Sequence, residues 1–477
     1  MSPAHGLPEQ REYFDAASFR DPAGSVFHHN NRIYRFVSAN VAPFAEEFLK
    51  SEFYRRNAKT RIVDTTIVNG PIPGSKLYID REKFPLILEH ERIPIISYPY
   101  EWPFSLLKTA ALFHLDIHLE ALEQGYDLVD SSPYNIQFLG TSPIFMDFLS
   151  FRAREKNSYW LGYKQFCEQF LGPLLICSRL GVPYNAWYRG AVNGLEITDV
   201  ARLLPISSYF SLRTIIHVLW HAKLIAQAKS SQRSVSARAS RERGISTKSV
   251  SAMLTDMRHW IETLHPGRAV DSYWKSYEST SSYDAQQANE KRRIVQDFIR
   301  SRKPAVIVDF GCNAGQFSQA CLESGADCVV GLDSDLGALE AATARAENAR
   351  LNLLPLYVDL TNMSPSQGWA GEERPALTER LNADCVVALA IVHHLAIGKN
   401  IDLARIFDLL TQLAPLGVIE FVPKADPMVK SMMLHREAMF ESYTEEKFTS
   451  ELQRVAKIVS ATTISGSSRT IFCYEKL

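Results

Sequence analysis

The chain has 477 residues, of which 46% are hydrophobic and 22% charged, with 52 Lys and Arg set against 53 Asp and Glu. One hydrophobic core does not usually organise such a length, so two or three domains are expected. The near-zero net charge excludes a bulk field drawing the protein to nucleic acid or anionic membrane, and leaves room only for local basic patches.

At the N-terminus, "MSPAHGLPEQREYFDAASFRD" lacks the basic start and apolar core of a secretory signal. No apolar run approaches the ~18 residues of a membrane span. The seven cysteines (Cys167, Cys177, Cys312, Cys321, Cys328, Cys385 and Cys473) are odd in number and contain no CxxC pair. They read as buried free thiols of a reducing compartment, which points to a cytoplasmic protein without a metal cluster.

"SVFHHNNRIYRFV" predicts a β-hairpin turning at Asn30-Asn31. A helix is expected from about Phe104 to Glu123, stopped by Gly125. A polar loop from Asp130 to Asn135 follows, and then two short strands finishing at Asp147-Phe148. An Asp, an Asn five residues on and a DF after a hairpin form the skeleton of a phosphotransferase catalytic loop. The region resembles the C-lobe of protein kinases and aminoglycoside-kinase-like proteins. That resemblance implies Asp130 as base and Asn135 and Asp147 as magnesium holders. Leu128 and Leu149 depart from the pattern, and no glycine lies between Gly24 and Gly70 to cover phosphates. The first 225 residues are therefore expected to be an α+β, degenerate kinase-like domain, with turn-capping as the other reading of Asp130 and Asn135.

Residues 226–254 carry Lys229, Arg233, Arg238, Arg241, Arg243 and Lys248 against Glu242 alone, amid many serines. This composition reads as linker or mobile loop, and residues 226–270 as linker with a connecting helix. Aromatic residues for base stacking are missing from it, so no nucleic-acid partner is expected. "DSYWKSYESTSSYD" (271–284) carries Tyr273, Trp274, Tyr277 and Tyr283, which serve either as a flap over a ligand or as packing for the helix that follows.

From there strands and helices alternate. "PAVIVDF", "DCVVGLD", "LLPLYVD", "ADCVVALA" and "GVIEFVP" read as strands, and "KIVSATTISGSSRTIFCYEKL" as a terminal hairpin. The expected fold of residues 271–477 is a doubly wound, mostly parallel α/β sheet with an antiparallel edge. In such a sheet a ligand sits beyond the carboxyl ends of the strands, where their order reverses. Asp309 ends the first strand, which places Gly311, Asn313 and Gly315 in the turn beyond it. Asp333 ends the second strand 24 residues later, suited to accept hydrogen bonds from ribose hydroxyls.

The spacing D-x-G-x-N-x-G, with Asp333 and "VDL" (Val358, Asp359, Leu360), resembles class I S-adenosylmethionine-dependent methyltransferases over residues 271 to 477. The resemblance implies S-adenosylmethionine as cofactor, Asp333 on its ribose, Asp359 at its adenine amine, the Gly311–Gly315 loop along its methionine tail, and Leu360 and Ala388 beside it. "ALAIVHHL" then lies next to the methyl donor. His393 and His394 are either general bases, whose protonation would lower activity below about pH 6, or only pack and shape the pocket while alignment supplies the rate, and Glu420 is a candidate for orienting the acceptor. Asp426 is a second candidate for that role, with surface solvation as its other reading. "SYPYEWPFSLLK", "SSPYNIQF" and "CNAGQFS" together resemble a bacterial group of two-domain methyltransferases that includes nodulation-associated proteins of rhizobia. That implies methyl transfer to an acceptor still to be identified, with a small metabolite, sugar or lipid-linked saccharide favoured, bound or presented by the first domain. A bifunctional kinase–methyltransferase and a non-catalytic cofactor sensor are the alternatives.

Overall fold

In the computed structural model, which describes residues 12–230, 244–267 and 285–477, Asn30 and Asn31 have φ of 47° and 62°. This left-handed pair is what a tight two-residue hairpin requires. It joins β2 (Gly24–His29) to β3 (Arg32–Val37) in the register His29↔Arg32. With β1 (Tyr13–Phe14), β4 (Thr65–Ile67) and β5 (Leu86–His90) they form an antiparallel sheet ordered β1-β2-β3-β5-β4. Phe27, Tyr34, Phe36, Ile72 and Ile87 fill one of its cores.

The chain divides into two compact units. The first comprises residues 1–138, 142–270 and 366–374, the second 139–141, 271–365 and 375–477. Beyond its sheet, the first unit is mainly helical. The Phe104–Glu123 helix buries both histidines and the aliphatic side chains of most of its length, and the chain leaves it through Gly125 at φ 81°. Short strands follow at β6 (Tyr126–Leu128), β7 (Ile136–Leu139), β8 (Ser142–Phe145) and β9 (Phe151–Ala153), paired β6–β9 and β7–β8. Residues 366–374 lie here too: the Arg374 guanidinium sits 3.6 Å above the Tyr134 ring, and Gln367 Nε2 donates to the Arg189 carbonyl at 2.9 Å.

The stretch whose composition suggests a linker contains an ordered helix, Thr247–Glu262. Ser246 caps it by accepting from the Ser249 N–H, and Val250, Leu254, Met257, Trp260 and Ile261 are buried on one face. Arg258 ties it to Asp116 of the Phe104–Glu123 helix at 2.5 Å. An apolar stripe at helical spacing overrides the serine-rich, basic composition. Residues 231–243 and the aromatics Tyr273, Trp274, Tyr277 and Tyr283 lie outside the described residues.

The second unit is the expected α/β sheet, with seven strands ordered β12-β11-β10-β13-β14-β16-β15. Five are parallel: β10 (Val306–Phe310), β11 (Cys328–Asp333), β12 (Leu353–Tyr357), β13 (Cys385–Ala388) and β14 (Leu416–Phe421). β15 (Ala456–Thr463) and β16 (Thr470–Lys476) form the terminal hairpin, β16 antiparallel to β14. Ile307, Val329, Leu353, Val387, Val418 and Ile471 carry the core across the sheet. The chain runs outward from β10 to β12 and returns at β13, so the loops after β10 and β13 part on either side of a crevice.

All seven cysteines are free and buried. Among the described residues, no helix is long and apolar enough to cross a membrane.

Gly417 of β14 pairs with Tyr474 of β16, and a Cβ there would fall 2.2 Å from the buried Tyr474 ring. Gly417→Ala is expected to destabilise the chain by about 1–3 kcal/mol through overpacking, measured as a lower denaturation midpoint with unchanged slope.

Candidate functional site

Beyond β10 the chain makes three left-handed steps: Gly311 at φ 70°, Asn313 at 48° and Gly315 at 78°. Asparagine tolerates this region. Its Oδ1 accepts the Ala314 N–H at 2.7 Å, and its own N–H donates to Asp333 Oδ2 at 2.9 Å. Gly315 begins the Gln316–Glu323 helix, and a Cβ there would fall 2.9 Å from the Leu353 side chain, so its role is close packing of that helix on the sheet.

Gly311 and Asn313 border a cavity of about 560 Å³ in the crevice, within the ~300–1,000 Å³ range of small-molecule sites. Asp309, Asp333, Asp359 and Leu360 line it as well. Asp333 receives backbone N–H groups on both oxygens, from Asn313 and from Asp335 at 2.9 Å, and retains acceptor capacity toward the cavity. Burial raises its pKa against the pull of those donors. Asp309 is buried with its carboxylate on Ser318 Oγ at 2.6 Å. Burial pushes its pKa up to about 6, the Asp333 charge adding to the rise and Ser318 and Lys291 opposing it. Asp359 closes a turn by accepting from Thr361 N and Oγ at 2.9 and 2.7 Å. Ala388, expected beside the cofactor, instead lines a smaller apolar cavity of about 50 Å³ with Phe310, Leu360 and Ile391.

His393 and His394 face the main cavity from the other side of the switch point, with ring centroids 4.3 Å apart. His393 is buried, its Nδ1 without a hydrogen-bond partner. Burial drives its pKa down to about 3, with the charges of His394, Arg469 and Lys291 lowering it further and Glu420 opposing. Burial lowers His394 as well. His393 is therefore neutral at pH 6, and burial moves His394 in the same direction, which opposes the expected loss of activity below about pH 6 by imidazole protonation.

Glu420 does not line the cavity. It has no exposed surface and is held by Lys291 Nζ at 2.5 Å and Arg469 Nη1 at 3.5 Å. Asp426, read as solvated, is likewise buried: it caps the Pro427–Met433 helix and pairs with Arg469 at 2.7 Å. The lining residues are the two cations, Lys291 and Arg469, which the carboxylates anchor. Lys291 lies on the Ala285–Arg302 helix, where a charged residue on the sheet-facing side was the only signal available in the sequence.

No family model matches the chain. It is 40% identical over 463 residues to nodulation protein NoeA of Rhizobium meliloti (strain 1021), covering 97% of this chain and 96% of that protein. The chain belongs to the NoeA family. The motif resemblance to nodulation-associated proteins thus extends along nearly all of its length. Among solved structures, this NoeA-family chain is similar to the bifunctional kinase-methyltransferase WbdD, at 17% identity over 42% of this chain and 41% of that one, with a TM-score of 0.31. It is also similar to the N-methyltransferase NodS from Bradyrhizobium japonicum WM9 (12%, 40% and 98%, TM-score 0.30). A third is magnesium protoporphyrin IX methyltransferase (ChlM) from Synechocystis PCC 6803 with bound SAM (15%, 43% and 90%, TM-score 0.29).

In the first unit of this NoeA-family chain the kinase-like residues are engaged internally. Asp147 accepts from Arg35 Nη1 at 2.6 Å, from Leu149 N at 3.2 Å and from Ser150 Oγ at 2.9 Å. Arg35, buried on β3, also pairs with Asp21. Asn135 reaches Ser150 Oγ at 3.3 Å, and Asp130 accepts the Ser132 N–H at 3.0 Å in a turn. A guanidinium therefore neutralises Asp147, which the sequence pattern reads as a magnesium ligand. Among the described residues no group of three or more His, Cys, Asp or Glu is placed to hold a metal ion.

An unfolded histidine protonates near pH 6.5, whereas folded His393 stays neutral to about pH 3. The unfolded state thus binds the extra proton, and stability falls with pH below about 6.5. From pH 7 to 5 this one residue is expected to remove on the order of 2 kcal/mol, and His393→Gln should lessen the loss by that amount in chemical denaturation at the two pH values.

Proposed function

We propose that the second unit transfers a methyl group from S-adenosylmethionine to an acceptor bound beside His393 and His394. One observation carries this reading: Asp333, Asp359 and the Gly311–Asn313 turn, matched by spacing to methyltransferase motifs, all border one cavity at the switch point of the sheet. Its residues fit the cofactor. Asp333 would offer acceptor positions to two ribose hydroxyls, Asp359 would accept from the adenine amine, and Lys291 would bring a buried cation to the carboxylate of the methionine tail, all three lining the one cavity. The bound sulfonium supplies an electrophilic methyl group.

The chain's part is alignment. His393 and His394 shape the wall facing the methyl group, and in-line placement of an acceptor contributes most of the rate. With its pKa near 3, His393 is too weak a base to lead the reaction. Its unpartnered Nδ1 instead orients the acceptor by hydrogen bonding. The acceptor is proposed to be a small metabolite, a sugar or a lipid-linked saccharide, bound or presented by the first unit. Residues Asp130, Asn135 and Asp147 of that unit then serve structure rather than phosphoryl transfer.

Calorimetry with S-adenosylhomocysteine tests the cofactor. At a hundred times its dissociation constant the ligand should raise stability by ~2.7 kcal/mol. Asp333→Ala should abolish the rise, and a folded wild-type chain that shows none overturns the proposal.

For His393→Gln, the methylation rate with labelled donor is expected to drop roughly ten- to hundredfold while S-adenosylhomocysteine affinity stays within about twofold. The wild-type rate should show no fall from His393 protonation between pH 7 and 5.5, because that imidazole remains neutral there. A fall tracking a pKa near 6.5 would show an exposed imidazole in control.

A further inference from the structure

The first unit carries a run of large apolar side chains that point into solvent. In the turn Ile206–Phe210, Ile206 is 80% exposed and Phe210 88%. The chain is then helical from Leu212 to Ser230, with a wider π-helical stretch over Ile215–Trp220. Leu212, Ile216, Trp220 and Leu224 recur every fourth residue along it, and Leu212, Trp220 and Leu224 are 69%, 63% and 64% exposed. The opposite side of the same helix holds the buried Thr214, His217, Val218 and Ala222. This helix has two apolar faces, and only one of them serves the core. Contiguous exposed apolar surface of this kind marks an interaction site.

Charge identifies the partner. Residues 200–230 contain Arg202, Arg213, Lys223 and Lys229 and no aspartate or glutamate. Arg202 and Arg213 pair with Asp199 and Asp256, whereas Lys223 stands exposed between Trp220 and Leu224. A two-fold contact with a second copy would set these cations against one another. A surface that is apolar a few ångströms down and negative at its rim accommodates both features: the aromatic and aliphatic side chains enter the acyl boundary and the cations meet phosphate headgroups. We infer that the Ile206–Leu224 face docks the protein reversibly on an anionic lipid surface. The local patch acts although the chain as a whole is neutral, because a charge farther off than about a Debye length, ~8 Å at physiological salt, is screened.

The test is sedimentation of the full chain with vesicles of phosphatidylcholine alone and of phosphatidylcholine mixed with phosphatidylglycerol. Binding is expected to the mixed vesicles only, weakening as salt is raised. Acyl-brominated lipid should quench part of the tryptophan emission, and that part should vanish in Trp220→Phe. Phe210→Ser combined with Trp220→Ser should reduce binding roughly tenfold or more with an unchanged melting temperature, since both side chains are exposed; Lys223→Glu should weaken it too. No binding to mixed vesicles, or equal binding by the double variant, overturns the inference. So does a dimer, seen by sedimentation velocity and dissociated by the double variant, in a chain that ignores vesicles.

Discussion

Glu420 is a carboxylate without exposed surface near the carboxyl end of β14, where the parallel strands meet the antiparallel hairpin, and β14 can carry it there because two cations reach it. Lys291 comes from the helix before β10, Arg469 from the turn before β16, and Asp426 completes the set from the loop after β14. Removing one partner of a buried pair strands the other charge, at about 3–5 kcal/mol. The four side chains therefore fix three separate stretches of backbone relative to one another. Two of them, Lys291 and Arg469, line the cavity and form its polar floor, held from behind by the two carboxylates. Opposite this floor, the Asn313 N–H ties the loop after β10 to the tip of β11 through Asp333. Floor and rim are thus set by bonds that span the strand ends.

The same desolvation that makes the floor costly governs the titrating groups around it. Asp309 is lifted and His393 is depressed, each toward its neutral form. Burial at this site thus disfavours the charged form of both acids and bases on its walls.

The sequence was most readable where structure is local. Alternation and apolar runs located the strands from β10 to β16, the Asn30-Asn31 pair located a hairpin, and Gly125 located a helix end, because each depends on residues within a few positions. The loop from Gly311 to Gly315 and the acids Asp333 and Asp359 were legible for the same reason: their spacing is set by one strand and one turn. What sequence could not show were partners far apart. Glu420 and Lys291 are separated by 129 residues and Asp147 and Arg35 by 112, so neither carboxylate's engagement leaves a local trace. A connecting helix was expected within residues 226–270, but its bounds, Thr247–Glu262, were blurred by the serines and cations around its buried stripe. Arg35 did leave a hint. An arginine inside the apolar run "RIYRFV" needs an acid nearby, although which one only the fold reveals.

The excursion of residues 366–374 bears on how the protein can be made. The Arg374 guanidinium over Tyr134, the Gln367 bond to Arg189 and the Arg20–Glu373 pair at 3.2 Å all belong to the first unit, yet they are encoded after β12 of the second. On the ribosome, where chain emerges at ~5–20 residues per second, the first unit therefore waits for its last part until four-fifths of the polypeptide has been synthesised. A gene fragment ending near residue 270 omits that part, and no single cut yields both halves intact. The two units are thus interleaved along the chain, and the first is completed only by residues encoded within the second.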